Sequence, residues 1–583
     1  MNLIEMYKDF IKINETKNLS ERENLSKDFF EKLNYLTYPE YFNWANDVFE
    51  GIHVTERGDN TALLWINVDN NTHEKFTYKY VSIKANKILN LLIQHGVTKG
   101  NNIYLMIPAT PEIWFFMVAN IKGGIITVPT PANMTQRELE YRFKSYPPNV
   151  LVTESSTTQI IDKALETTNT KPKIKIVIGN DKNGWVNYTK INDMPSEAEA
   201  AKTKPKDIIF CLFTSATTGM PKKVAQSAVS YPVGHMSTAN LIGITTTDIH
   251  NNLSSPGWAK WAWSSLFAPL IVGATTTSIY TSEKFNPEKY LQALADYNIS
   301  TFCAPPTAYR QFILQDLNRF NLTNLRECVS AGEPLNPEVI EKWKHHTGIT
   351  IRDIYGQTET TAMIGNPPWF KNKIKPGSFG VPHYMYDIIL TDDDGNEIKN
   401  TDEVGNIVIR LNKWRAVGLF HEYIGDEKLT NEVLRQNLYF TGDKAYKDAD
   451  GYWYFVSRGD DIIKSSDYRV GPFEVESALM EHEAVAESAV VGSPDPIRWQ
   501  LVKAYIILKP GYAATKETAK SIFQKMDTIL PKYKVPRIIE FVDELPKTIS
   551  GKIRRKELKI KEEELKKKGK RSNREYYYSN LLK

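Results

Sequence analysis

The run Thr214-Ser-Ala-Thr-Thr-Gly-Met-Pro-Lys222 follows an apolar stretch, Ile208 to Phe213, and offers hydroxyls, a glycine and a lysine in nine residues. Such a loop can wrap a polyphosphate. The hydroxyls of Thr214, Ser215, Thr217 and Thr218 and the backbone N–H groups donate to phosphate oxygens, Gly219 permits close approach, and Lys222 adds a point charge. It is not a Walker A loop, because Gly219 is followed by Met-Pro-Lys. Five more polar clusters follow in order: Ser330-Ala-Gly-Glu-Pro334, Asp353-Ile-Tyr-Gly-Gln-Thr-Glu359, Tyr439-Phe-Thr-Gly-Asp443, Ser457-Arg-Gly-Asp-Asp461 and Pro546-Lys-Thr-Ile-Ser-Gly-Lys552. Singly, each reads as an ordinary charged loop.

The elements that must hold these loops show a regular rhythm. Helical stretches alternate with apolar runs at Asn101 to Pro108, Gly124 to Pro129, Val150 to Val152 and Ile174 to Ile178, and the rhythm resumes at Ala274 to Ile279, Thr301 to Ala304 and Glu327 to Ser330. This predicts two successive doubly wound α/β units with parallel sheets. Between Gly377 and Tyr454 short β-like runs are punctuated by Asp394-Gly395 and Asp450-Gly451, predicting a small antiparallel β subdomain. Beyond Ser457 the pattern is that of a small α+β domain. The first fifty residues read as a helical arm anchored by Tyr41, Phe42 and Trp44, and the tail from Lys559 as a solvated charged helix.

Taken in order and spacing, the motifs resemble the adenylate-forming (ANL) superfamily of acyl-CoA synthetases, peptide-synthetase adenylation domains and luciferases. The phrases FTSATTGMPKK, YGQTET, DDIIKSSDYRVGPFEVESALMEH and LPKTISGKIRRKEL are most similar to the medium-chain, AMP-forming acyl-CoA synthetase branch, and the likeness runs from about residue 40 to about 560. The resemblance implies a large N-terminal domain, 1–459, of two doubly wound subdomains and a small β subdomain, followed by a small mobile C-terminal cap, 460–583. It implies an acid-thiol ligase that uses ATP, Mg²⁺ and CoA to convert a carboxylic acid to an acyl-adenylate and then to a thioester.

Adenylation brings a carboxylate to the α-phosphorus of ATP, so charge must be neutralised and both reactants positioned. By the resemblance, Lys552 bridges carboxylate and α-phosphate, Thr358 contacts that phosphate, and Glu359 holds phosphate-bound Mg²⁺. Gly332, Glu333 and Pro334 line the adenine slot, with Tyr355 on its other face and Asp353, Gly356 and Gln357 in the same nucleotide-binding segment. Asp443 accepts from the ribose hydroxyls and Arg458 assists there. Lys547, Arg554, Arg555 and Lys556 read as a solvated basic face. Asp460 is the hinge, after whose rotation Ser466, Asp467, Tyr468 and Arg469 face pantetheine. Arg498 and Arg537 are candidates for the CoA phosphates. Ala216 and Asp467 stand where many relatives carry glycine.

Gly257, Trp258, Ala259 and Lys260, with Trp261 behind, match a segment lining the acyl pocket. Gly356 replaces a tryptophan that shortens this pocket in acetate-specific relatives, predicting a deeper slot for a medium-chain or branched acid. Lys260 is unusual there; it points outward or caps a polar substrate end.

Composition sets wider bounds. The 73 basic and 69 acidic residues balance too closely for nucleic acid to be the main partner. Cys211, Cys303 and Cys328 lack metal or disulfide spacing, which fits a reducing cytoplasm. No signal-peptide core stands at the N-terminus, and the most apolar stretch, Ile113 to Pro129, is interrupted by Lys122, so no membrane span is expected. Whether the chain forms a homo-oligomer stays open. A carrier-protein-loading adenylation module competes with the synthetase reading, weakened by the lack of a fused carrier region. A non-catalytic nucleotide sensor is disfavoured by the joint presence of Glu359, Asp443 and Lys552.

Overall fold

Apolar runs such as Ile126–Pro129 and Ile208–Thr214 are short, β-branched and bounded by turns, and they assemble into two large sheets whose centres are parallel. The protein, seen in a computed structural model, is described over residues 2–214, 221–370, 373–465, 468–496, 498–548 and 552–582, with Asp460 and Arg469 described by backbone alone. The eight-stranded sheet runs, edge to edge, Glu422–Tyr423, Lys222–Ser227, Ile208–Thr214, Ile126–Pro129, Asn102–Met106, Val150–Glu154, Ile174–Ile178 and Val186–Asn187. The nine-stranded sheet centres on Thr275–Tyr280, Ile249–Asn252, Thr301–Ala304, Glu327–Ala331 and Ile351–Gly356.

The two α/β units are not successive in the chain, as the rhythm had suggested. Strand Thr61–Asn67 joins the second sheet, parallel to Thr275–Tyr280, while Ile208–Thr214 and Lys222–Ser227 join the first. Periodicity identifies a strand but not its partner some two hundred residues away. Helix Glu112–Gly123 is buried on every side in the main core, which is why its sequence is apolar all round. Its one buried charge, Lys122, is neutralised by Glu50 at 2.7 Å and donates to Asn86, while Glu112 stands at the less buried first turn.

The antiparallel β subdomain is present as a five-stranded sheet that includes Gly405–Arg410, Leu438–Lys447 and Trp453–Arg458. A six-stranded C-terminal sheet follows, with helices Pro472–Met480, Lys516–Ile529 and Arg555–Lys567. It rests closely on what precedes it. Gly471 sits where any Cβ would lie 2.6 Å from the Val456 carbonyl oxygen, and Asn336 donates to Ser477 Oγ at 3.1 Å.

Two terminal expectations need correction. Of the aromatic anchors, Phe42 and Trp44 are buried but Tyr41 is exposed. The tail is a solvated helix only in part: Lys561, Lys567, Lys568 and Lys570 are exposed, but Glu562 and Glu575 turn inward onto buried Lys503, each at 2.6 Å, and Glu540 completes the group at 2.7 Å. Strand Glu575–Tyr577 then pairs with Ile538–Phe541. These two carboxylates looked solvated because their cation, Lys503, lies some sixty to seventy residues upstream.

Candidate active site

Parallel strands end at a common edge, and their carboxyl ends are where an open α/β sheet presents loops to a ligand. Strand Ile351–Gly356 delivers the Tyr355-Gly-Gln-Thr-Glu359 segment there, and strand Leu438–Lys447 delivers Asp443 opposite it. Asp443 is buried and accepts from Tyr355 Oη at 2.6 Å and Gln357 Nε2 at 2.7 Å, both on Oδ2. Its Oδ1 faces Arg458 Nε at 3.5 Å, since the two residues are cross-strand partners. The carboxylate is therefore fixed from two sides, with Tyr439 holding Gln357 in turn at 2.9 Å.

Glu359 is mostly buried and accepts from Tyr423 Oη at 2.7 Å. The Tyr423 ring lies beneath the Lys222 ammonium, 5.2 Å from its centre, so one tyrosine joins the carboxylate to the lysine that ends the phosphate-type loop. Thr214 and Lys222 are paired across the strands that carry this loop. Gln226 Nε2 binds the Thr358 carbonyl at 3.0 Å and pins the neighbouring turn. Ser215, Ala216, Thr217, Thr218 and Gly219 lie outside the described residues, as do Ser466 and Asp467 and the side chains of Asp460 and Arg469.

Lys552 reaches this edge from the C-terminal sheet. Its backbone and Thr548 close a loop, Thr548 N donating to the Lys552 carbonyl at 2.7 Å and Lys552 N to Thr548 Oγ1 at 3.1 Å. The Lys552 chain passes Gly332, where a Cβ would lie 4.0 Å from Lys552 Cε in ordinary contact; it is the φ of 111° that favours glycine there. Although Lys552 keeps a solvent-facing surface, protein crowds its ammonium. Desolvation lowers its pKa, Glu333 opposes this, Arg458 adds to it, and Asp443 also opposes. Glu333 is itself met by Arg310 at 3.6 Å. Lys552, Gly332, Glu333, Asp443 and Arg458 thus belong to one site, drawn together from segments up to 220 residues apart in the sequence. Pro334 follows in the same loop, ahead of Leu335, whose N–H binds Asp353 at 3.3 Å.

The remaining candidates divide. Tyr468 stacks on Tyr533 at 4.3 Å on the exposed C-terminal sheet. Arg498 caps its own hairpin through Asp495 at 2.7 Å, and Arg537 lies over Tyr578 while donating to the Lys532 carbonyl at 2.6 Å. These three are not gathered around Asp443. Arg555, grouped with a solvated face, instead forks onto Glu476 at 2.5 and 2.9 Å. The basic run hides one structural arginine because helix Arg555–Lys567 packs its first turn against helix Pro472–Met480.

The acyl segment also departs from expectation. Gly257 is pressed against Pro131, and the Trp261 ring meets Trp114 at 4.8 Å with the two planes tilted by 58°. Gly356 does not open a deeper slot by itself. A Cβ there would lie 2.3 Å from the Thr361 carbonyl oxygen and 2.7 Å from Trp263 Cη2, so a different indole, from the π-helical turn Ala262–Phe267, fills the space. Lys260 does not point outward: its Nζ is buried without a hydrogen-bond partner, as is Trp258 Nε1. Desolvation lowers the Lys260 pKa, with Cys303, Lys552, Glu333 and Asp353 as its charged or ionisable neighbours. Burial likewise pushes Asp353 up to about 8, against its two backbone hydrogen bonds and Lys260. Tyr423, Gln226, Arg310 and Trp263 were missed. Only Trp263 left a signal, as a third indole two residues beyond Trp261.

Comparison with known proteins fits this geometry. Residues 52–420 match the family described as AMP-binding enzyme, and residues 474–552 match the AMP-binding enzyme C-terminal domain. The chain is 52% identical over 537 residues to 4-hydroxybutyrate–CoA ligase 1 of Metallosphaera sedula, covering 92% of this chain and 93% of that one. It is 39% identical over 556 residues to human acyl-coenzyme A synthetase ACSM3, mitochondrial, covering 94% and 93%. Among solved structures, the anthranilate CoA ligase AuaEII in complex with anthranoyl-AMP superposes with a TM-score of 0.83 at 30% identity, covering 90% of this chain and 98% of that one.

Proposed function

Because the chain belongs to the AMP-binding enzyme family and is an AMP-forming acyl-CoA ligase, we propose that it joins a short or medium-length aliphatic acid to CoA through an acyl-adenylate. The observation that carries this reading is the meeting of Lys552 with Gly332, Glu333, Asp443 and Arg458. A crowded lysine ammonium near a carboxylate held from two sides suits a reaction in which two anions must meet.

In this reading Asp443, already oriented by Tyr355, Gln357 and Arg458, accepts from the ribose hydroxyls. Lys552 draws the substrate carboxylate and the α-phosphate together, and the 214–222 loop with Lys222 receives the β- and γ-phosphates. Glu359 fits a phosphate-bound Mg²⁺, since Tyr423 holds Oε1 and orients the carboxylate. That ion would neutralise polyphosphate charge. After pyrophosphate leaves, turning of residues 460–583 about Asp460 withdraws Lys552 and brings Tyr468 and its neighbours to the CoA thiol. Trp263 and Gly356 set the depth of the acyl pocket. The relative from Metallosphaera is named for a four-carbon hydroxy acid, which favours a short chain. The buried, reduced cysteines fit a cytoplasmic enzyme, and among the described residues no helix is long and apolar enough to cross a membrane.

Pyrophosphate release measured over a panel of acids, with and without CoA, tests the proposal. Acid-dependent release with AMP formation, and acyl-CoA only when CoA is present, is the expected result. Release that ends in acyl transfer to a protein carrier would replace it with the carrier-loading reading.

A further inference from the structure

Burying an ammonium is costly unless a partner supplies what water did. Two lysines of this chain obey that rule in full. Lys122 is held by Glu50 and Asn86, and Lys503 by Glu540, Glu562 and Glu575. Lys260 does not, for its Nζ is buried and makes no hydrogen bond. Its backbone is nonetheless fixed, because Asn252 Nδ2 reaches the Lys260 carbonyl at 3.3 Å and Ser265 Oγ at 3.0 Å from the end of strand Ile249–Asn252. Asn252 Oδ1 and Trp258 Nε1 are buried without partners beside it. Three partnerless polar groups within nine residues of chain, at the carboxyl edge of the nine-stranded sheet, describe a place left for a polar ligand.

We propose that Lys260 selects the acid by donating a hydrogen bond to a neutral oxygen, a hydroxyl or oxo group, at the far end of a short acyl chain. The inference rests on the ligase reading above and names its substrate class. Three observations fix the chemistry. Lys260 lies within electrostatic reach of Lys552, so an acid whose carboxylate meets Lys552 spans only a few carbons before meeting Lys260. The reacting carboxylate is not itself the partner, because a second ammonium at that position would repel Lys552. A second carboxylate is disfavoured as the far group, since Glu333 is also a neighbour of Lys260 and a carboxylate has no proton to give the buried Asn252 oxygen. A hydroxyl accepts from the ammonium at no charge penalty and can donate to the free Asn252 oxygen. Rejection of the unsubstituted acid follows, because it would leave the buried ammonium unpaired.

The test compares kcat/KM for 4-hydroxybutyrate, butyrate and succinate in the full-length enzyme, with Lys260→Met and Lys260→Gln. The unmodified enzyme should favour the hydroxy acid over butyrate. In Lys260→Met that ratio should fall by ~10–100-fold, the effect of losing one buried hydrogen bond to a charged donor. Lys260→Gln, which keeps a donor, should recover part of it and serves as the reference if the methionine variant folds poorly. An unchanged ratio overturns the proposal, and so does an equal loss with both acids, which would assign Lys260 to the common chemistry. A succinate preference lost in Lys260→Met would overturn the neutral oxygen. Absence of pyrophosphate release by the unmodified enzyme with every acid would instead sink the ligase reading, and this inference with it.

Discussion

Replacing Gly356 with alanine tests how tightly the end of strand Ile351–Gly356 is packed against Thr361 and Trp263. The added Cβ would lie 2.3 Å from the Thr361 carbonyl oxygen and 2.7 Å from Trp263 Cη2, both far inside contact distance. Neither neighbour yields easily. The Thr361 carbonyl already accepts from Thr360 Oγ1 at 2.9 Å, and Trp263 is buried. Overpacking of this kind costs about 1–3 kcal/mol, and the strand must shift to relieve it. Gly356 lies between Tyr355 and Gln357, which together hold Asp443 Oδ2, so the shift loosens the Asp443 carboxylate. Gly356→Ala is expected to lower the thermal midpoint and to raise KM for ATP several-fold, with little change in the relative rates for butyrate and hexanoate. Adding Trp263→Leu removes the ring contact but leaves the carbonyl, so the double variant should recover part of the loss and accept longer acids. Thermal scans, with initial rates at varied ATP and varied acid, read all three effects. A Gly356→Ala enzyme with unaltered midpoint and KM for ATP would refute the packing argument.

Tyr423→Phe removes the donor to Glu359 and should lower kcat by ~10-fold, with a higher Mg²⁺ requirement; an identical Mg²⁺ titration would contradict it. Lys503→Met leaves Glu540, Glu562 and Glu575 without their buried cation and should cost about 3–5 kcal/mol. Early proteolysis of the C-terminal region should report this loss, and unchanged resistance would count against the ionic cluster. Stability should also fall on acidification. Burial depresses His53 and His383 to about 3 and His250 to about 4, while the unfolded chain titrates near its ordinary value of 6.5. Below that value the unfolded state binds more protons, so each histidine contributes stability that is lost toward its folded pKa, at up to ~1.4 kcal/mol per pH unit. Urea midpoints at pH 7.5 and pH 5 check this, and equal midpoints would contradict it.

Much of the fold and of the candidate site was legible because it is local. Runs such as Ile174–Ile178 and Thr301–Ala304 announce strands by composition, and short motifs carry Tyr355, Glu359, Asp443 and Lys552 together with their immediate neighbours. What escaped depends on distant pairing. Nothing near Thr61–Asn67 says that it lies beside Thr275–Tyr280, and nothing near Tyr423 says that its strand edges the sheet carrying Lys222. Side-chain direction was equally hidden. Lys260 could face solvent or pocket until the neighbouring strand ends were in place, and the void expected at Gly356 is filled by a residue ninety-three positions earlier. The tail's carboxylates seemed solvated until Lys503 was found beneath them.

The central claim is that Lys552 serves acyl-adenylate formation within a two-step ligation. Single-turnover experiments on the unmodified enzyme and on Lys552→Ala test it most directly, one set with ATP and acid, the other with preformed acyl-adenylate and CoA. Loss of the cation between two anions should slow adenylation by ~10²–10³-fold while leaving thioester formation from the supplied adenylate near its original rate. Equal slowing of both half-reactions, or none in the first, would contradict the account.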